Sequence, residues 1–127
     1  MGRTFKQDLG DWGEQKAVDF LVGKGYEIID RNVVLGKGEI DIIAWHNKFY
    51  NGRTLCIIEV KTRSYGPGSA ERATVGKKLS VLIRTARRYC SLKNIDVDST
   101  PIQFEQVSIY FDRKRGIMNI RLNEIFF

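Results

Sequence analysis

Two short apolar runs carry polar residues that need a reason. Glu39 and Asp41 interrupt Gly38-Glu39-Ile40-Asp41-Ile42-Ile43-Ala44, and Glu59 and Lys61 interrupt Leu55-Cys56-Ile57-Ile58-Glu59-Val60-Lys61-Thr62. Side chains alternate across a strand, so Glu39 and Asp41 are expected to share one face and Glu59 and Lys61 another polar stripe. Ile40, Ile42 and Ala44, and Cys56, Ile58 and Val60, are left for the buried faces. If the runs are neighbours, three carboxylates and an ammonium converge. Crowded carboxylates repel, and the simplest relief is a divalent cation with hard oxygen ligands. Magnesium suits such a site, because it takes one or two carboxylates, keeps several waters and leaves room for phosphate oxygens. Asp41 and Glu59 are the candidate metal ligands, with Glu14 and Glu39 as direct or water-mediated support. A metal so held makes hydrolysis of a phosphodiester feasible. Lys61 would orient the attacking water or stabilise the transition state; service as a base would require a lowered pKa.

The elements that must position these groups follow from pattern. Residues 8–24 are expected to form a helix capped by Asp8, with Leu9, Trp12, Ala17, Phe20 and Leu21 at roughly helical spacing. Glu14 then either borders the apolar stripe and pairs with solvent or lysine, or points into the acidic cluster. Residues 26–34 are β-branched and read as a first strand, and residues 35–38 as a turn. The two polar runs form the second and third strands. Asn51-Gly52, within a connection that includes His46, is the strongest hairpin signal and makes them antiparallel neighbours. Residues 63–70 read as a surface loop rich in Gly, Pro and Ser. Val75, Leu79, Leu82, Ile83, Ala86, Tyr89 and Cys90 recur at three and four, which predicts a helix over 74–92. Residues 104–111 and 116–122 alternate around a charged turn and add a final hairpin. A chain of 127 residues without repeats or a separating linker is expected to be one domain.

Composition narrows the function classes. No apolar run approaches the ~20 residues a membrane span needs, and no apolar leader marks export, so cytoplasm is the expected compartment. His46 is the only histidine and is assigned to a turn. With Cys56 and Cys90 expected as free buried thiols, neither a zinc site nor a nucleophile triad is indicated. Gly36-Lys37-Gly38 is too short for a phosphate-binding loop. The net charge of +6 is uneven: residues 1–60 hold 8 basic and 9 acidic residues, and residues 61–127 hold 13 and 6. Arg63, Arg72, Lys77, Lys78, Arg84 and Arg88 in that second half are the candidate nucleic-acid contacts, or else a solvated basic face.

In their order, Gly13-Glu14, Arg31-Asn32, Gly38-Glu39-Ile40-Asp41, Glu59-Val60-Lys61-Thr62-Arg63, Tyr65-Gly66, Lys78 and Ala86 to Tyr89 resemble the bacterial YraN family, a largely uncharacterised group similar to the PD-(D/E)-x-K nucleases. The resemblance spans nearly the whole chain. It implies an α/β fold with a restriction-endonuclease-like core, a mixed sheet of about five strands flanked by helices, arranged as in archaeal Holliday-junction resolvases. It further implies that Glu14, Asp41, Glu59 and Lys61 are catalytic and that Lys78 lies near substrate. Mg²⁺ or Mn²⁺ is the implied cofactor, and branched or structured DNA the implied partner, with a homodimer where both strands are cut. A nucleic-acid-binding module without hydrolysis is the alternative on the same fold. Gln103-Phe104-Glu105 departs from the Arg-Phe-Asp common in that family.

Overall fold

The computed structural model describes residues 4–63, 77–112 and 114–125. Its elements are α1 (Phe5–Gly23), β1 (Glu27–Leu35), β2 (Gly38–Lys48), β3 (Gly52–Arg63), α2 (Lys77–Leu92), β4 (Ile102–Asp112) and β5 (Ile117–Glu124). The strands form one sheet in the order β1-β2-β3-β4-β5. All neighbours are antiparallel except β3 and β4, which are parallel. A parallel pair needs a crossover, and α2 lies in the segment that supplies it. The α/β class with a mixed five-stranded sheet and helices on both faces is therefore as the sequence implies.

Each face has its own apolar core. Ala17 and Leu21 of α1 cover Ile42, Ala44, Cys56, Ile58, Val107 and Ile109 on one face. Leu82, Ala86, Tyr89 and Cys90 of α2 cover Ile40, Ile43, Leu55 and Ile57 on the other. A central strand covered on both sides must be apolar on both sides, which is why β2 and β3 read as nearly continuous apolar runs.

Several local expectations change. Helix α1 starts earlier than residue 8, because Thr4 and Gln7 form a capping box: Thr4 Oγ1 accepts from Gln7 N at 3.1 Å and Gln7 Oε1 accepts from Thr4 N at 2.9 Å. This reciprocal pair satisfies two otherwise orphaned groups, and Asp8 falls inside the first turn. The β2–β3 hairpin is tighter than expected. Strand β2 runs to Lys48, which pairs with Gly52, and Gly52 takes φ +69°, the left-handed backbone a three-residue hairpin loop asks of glycine. His46 accordingly lies in β2, not in a turn. It pairs with Thr54 and stacks on Tyr26 at 3.8 Å, while its Nε2 donates to the Lys24 carbonyl at 3.1 Å. Cys56 and Cys90 are free and buried as expected. The expected loop over 63–70 and the helical positions 74–76 fall, apart from Arg63, outside the described residues.

Glu105, which departs from the family pattern, anchors a buried polar knot. Its carboxylate accepts from the Tyr26 hydroxyl at 3.0 and 3.1 Å, from Lys48 Nζ at 3.0 Å and from Gln103 Nε2 at 3.0 Å. Lys48 also donates to the Tyr26 hydroxyl at 2.7 Å. Burial, then the Glu105 charge, pushes the Tyr26 hydroxyl far above its ordinary range. The knot ties the end of α1, β2 and β4 together at the end of β2 remote from Asp41.

Candidate functional site

The site arises where the β2–β3 ladder stops. Pairing runs from Lys48↔Gly52 up to Ile42↔Ile58 and goes no further, while β3 continues beside β4 as far as Arg63↔Tyr110. The two central strands thus part at Asp41 and Glu59. Asp41 Oδ2 accepts from the Val60 backbone N–H at 2.7 Å. A side-chain carboxylate therefore occupies the place where continued pairing would have offered a backbone carbonyl.

The alternation of faces breaks at the same point. Ile40 belongs to the α2-side core, whereas Ile42 belongs to the α1-side core, so these two residues do not share a face as expected. Strand β1 breaks in step. Val33, opposite Ile40, packs on the α2 side, and Arg31, opposite Ile42, reaches Glu14 of α1. Between them lies Asn32 with φ +52°, a left-handed conformation that Asn tolerates better than most residues. At the fork, Asn32 and Asp41 are the residues by which the two strands exceed regular alternation; β1 has a further register shift between Ile28 and Asp30.

Two hollows open at this fork. One, of about 470 Å³, is lined by Lys37, Glu39, Asp41, Glu59, Val60, Lys61, Val81 and Leu82 and lies toward α2. The other, of about 380 Å³, lies toward α1 and includes Gln7, Asp11, Glu14, Asn32, Thr62 and Arg63. Glu39, Asp41, Val60 and Lys61 line both. The structure thus brings Asp41, Glu59, Lys61 and Glu39 into one hollow, and Glu14 to its neighbour across the shared wall. Glu59 is buried at 4% exposure and Glu14 at 9%. Glu14 takes neither expected course alone: it reaches the cluster and is also held by Arg31, whose Nε donates to Glu14 Oε1 at 3.3 Å, with Nη1 on Gln15 at 3.1 Å.

Two close approaches set these groups. A methyl on Gly13 would collide with Thr62 Oγ1, and one on Gly38 with Thr85 Oγ1. Lacking side chains, Gly13 lets α1 settle on the end of β3 beside Glu14, and Gly38 lets α2 settle on the start of β2 beside Glu39. Thr85 is itself buried and donates to the Val81 carbonyl at 2.7 Å.

Among the described residues, no group of three or more His, Cys, Asp or Glu side chains is placed to hold a metal ion. The donors at the fork are carboxylate oxygens, those of Asp41 and Glu59 with Glu39 on the same wall, beside a hollow of about 470 Å³. That fits magnesium or manganese, which tolerate two protein carboxylates and waters, and does not fit a site that needs an all-protein cage or nitrogen and sulfur ligands.

The expected nucleic-acid contacts are spread. Arg63 lines the α1-side hollow and donates to the Thr62 carbonyl at 2.9 Å. Arg84 and Arg88 are exposed on α2, Arg84 beside Arg87 in a third hollow of about 450 Å³. Lys77 and Lys78 begin α2, but their side chains and all of Arg72 lie outside the described residues. Lys37, which the sequence reading dismissed with its glycines, lines the hollow that holds Asp41 and Glu59. Its signal was present: a lysine between two glycines immediately before the acidic strand.

Comparison with known proteins places residues 13–111 within the uncharacterised protein family UPF0102. A UPF0102 protein from Chlorobium limicola is 42% identical over 106 residues, covering 82% of this chain and 76% of the relative. One from Flavobacterium psychrophilum is 36% identical over 108 residues, 84% of each chain. Another, from Caldicellulosiruptor saccharolyticus, is 36% identical over 118 residues, covering 92% of this chain and 94% of the relative. No described helix is long and apolar enough to cross a membrane.

Proposed function

We propose, from the premise that this chain belongs to the uncharacterised protein family UPF0102, the YraN family, that it is a magnesium- or manganese-dependent nuclease acting on branched or structured DNA. The observation that carries this reading is the gathering of Asp41, Glu59 and Lys61 in one hollow where β2 and β3 part. Asp41 and Glu59 would hold the ion. When bound, a divalent ion acidifies water, polarises a phosphoryl oxygen and offsets the charge that develops during in-line attack.

The chain's own groups supply the rest. Val60 N–H fixes one oxygen of Asp41, so the carboxylate is oriented before substrate arrives and loses little freedom on binding. Burial of Glu59 among Val81 and Leu82 keeps competing water from one side of the reacting phosphate. Lys61, on the shared wall, donates toward the attacking water or the phosphoryl oxygens, where its positive charge is worth most as negative charge builds. Glu14, braced by Arg31, acts on the α1 side through water. Arg63, Arg84 and Arg88, with Arg72, Lys77 and Lys78 continuing the charge in sequence, would follow the phosphate backbone. Cutting both strands of a duplex calls for two such sites, and hence a homodimer in the cytoplasm with its nucleic acid.

The decisive experiment is cleavage of linear, nicked and four-way-junction DNA with Mg²⁺, Mn²⁺ or EDTA, comparing the natural protein with Asp41→Asn and Glu59→Gln. Cleavage should require metal and fall by more than the roughly 10- to 100-fold that loss of an outer-shell partner produces. Undiminished cleavage by either variant removes the site from the proposal. The sparse carboxylate set favours a second reading, a non-catalytic nucleic-acid-binding module. Salt-sensitive DNA binding without cleavage by any form would establish that reading instead.

A further inference from the structure

We infer that Lys37 forms a subsite for the phosphate next to the scissile one, a contact that a polynucleotide makes and an isolated phosphodiester does not; the inference rests on the nucleic-acid reading above. Lys37 lies on the β1–β2 turn and lines the hollow with Glu39, Asp41, Glu59 and Lys61. Among the described residues it enters no ion pair, although three carboxylates line the same hollow. An exposed lysine that stays uncommitted beside acids is available to an incoming anion.

The turn is held in a way that aims the residue. Gly36 takes φ +60°, and Arg88 Nη1 lies 3.2 Å from where a Cβ on Gly36 would stand. Gly38 sits under Thr85 so closely that a Cβ would collide. One flank of Lys37, Gly38, is therefore pressed onto α2 while the other, Gly36, lies by the Arg88 guanidinium, so placing the ammonium costs mainly side-chain freedom. Position along the path separates Lys37 from Lys61. Lys61 lies on the wall common to both hollows, at the point of strand parting. Lys37 lines the α2-side hollow only, the Arg88 guanidinium lies by the adjoining Gly36, and Arg84 stands one helical turn from Arg88 on the same face. Lys37, Arg84 and Arg88 are all exposed, and together they offer cations to a polyanion leaving the fork toward α2. Lys37 thus joins the hollow to the basic helix, at the first phosphate beyond the reacting one.

The test pairs two substrates. Binding of a fluorescein-labelled four-way DNA junction is followed by anisotropy in EDTA across a range of salt, and hydrolysis of bis(p-nitrophenyl) phosphate, which has a single phosphate, is measured with Mn²⁺. Loss of one phosphate contact removes about 0.9 from the slope of log affinity against log salt, which at 0.1 M salt is about an eightfold loss relative to 1 M. Lys37→Gln should show that loss in slope and affinity, Lys37→Arg should restore both, and Lys114→Gln, on the exposed β4–β5 turn, should change neither. Hydrolysis of the small diester by Lys37→Gln should stay within about twofold of the natural protein. An unchanged salt slope for Lys37→Gln overturns the inference, and so does a parallel loss of small-diester hydrolysis, which would put Lys37 on the scissile phosphate. Binding that depends on Lys37, with neither the small diester nor the four-way junction cut in Mg²⁺ or Mn²⁺, leaves Lys37 a phosphate contact and refutes the nuclease. Absence of DNA binding by the natural protein at low salt refutes both.

Discussion

Replacing Lys48 with methionine should destabilise the protein far more than loss of a surface lysine would. The Lys48 side chain is 9% exposed and that of Glu105 3% exposed, at an Nζ–Oε2 separation of 3.0 Å. Methionine keeps most of the apolar stem, so little cavity forms, but Glu105 is left buried without its cation, with only Tyr26 and Gln103 to serve it. Removing one partner of such a pair costs about 3–5 kcal/mol, against roughly 0–1 for an exposed pair. Set against a typical total of about 5–15 kcal/mol, the variant should remain folded at 25 °C with its urea midpoint sharply lowered. Fluorescence of Trp12 and Trp45 during urea unfolding measures this, with far-UV circular dichroism as the second probe. Adding Glu105→Gln should recover a large part of the loss, since the amide still accepts from Tyr26 without a charge to solvate. The reasoning fails if Lys48→Met costs less than about 1 kcal/mol, or if the double variant is no more stable than the single one.

Asp41→Ala should cost about 1–3 kcal/mol in unfolding free energy by stranding the Val60 N–H, whereas Asp41→Asn, which still offers an acceptor, should unfold near the natural midpoint; equal losses would separate Asp41 from that bond. Gly38→Ala and Gly13→Ala should each cost roughly 1–3 kcal/mol by overpacking against Thr85 and Thr62; Gly38→Ala should be the worse because Thr85 is buried, and calorimetry decides. Burial, then the Asp30 charge, pushes Tyr89 from 10.0 up to about 12. Its folded value lies above its unfolded one, so the stability it contributes is complete below pH 10 and is lost as pH rises toward about 12. Tm recorded from pH 8 upward should fall across that window, and Tyr89→Phe should flatten the fall. Burial also raises both Cys90 and Cys56; neither thiol should react with a disulfide reagent at pH 8 until urea unfolds the chain.

Short-range chemistry was readable in the sequence. Asn51-Gly52 announced the β2–β3 hairpin, and the three-and-four spacing of Leu79 to Cys90 announced α2. The gathering of Asp41, Glu59 and Lys61 followed from that hairpin alone. What escaped depends on partners distant in the chain. The Tyr26 hydroxyl meets Glu105 across 79 positions, and no local pattern marks either as half of a buried knot. Lys37 joins the hollow only because two glycines let its turn lie on α2. The shift of Ile40 to the other face could not be read because a strict period of two was assumed through Asp41, the one residue that violates it.

That violation has a consequence for how the fold and its chemistry are related. Remove Asn32 and Asp41 together and every flanking apolar residue keeps its side: Val33 and Ile40 toward α2, Arg31 and Ile42 toward α1. The shortened strands would alternate through the former fork and could pair past Ile42, with the register shift between Ile28 and Asp30 of β1 left in place. The acidic fork is thus a facing pair of insertions in the β1–β2 ladder, and a chain of 125 residues made by deleting both from the 127 should keep this architecture while erasing the site. Chemistry here is a dislocation that the lattice of strands accommodates, separable in principle from the scaffold that carries it.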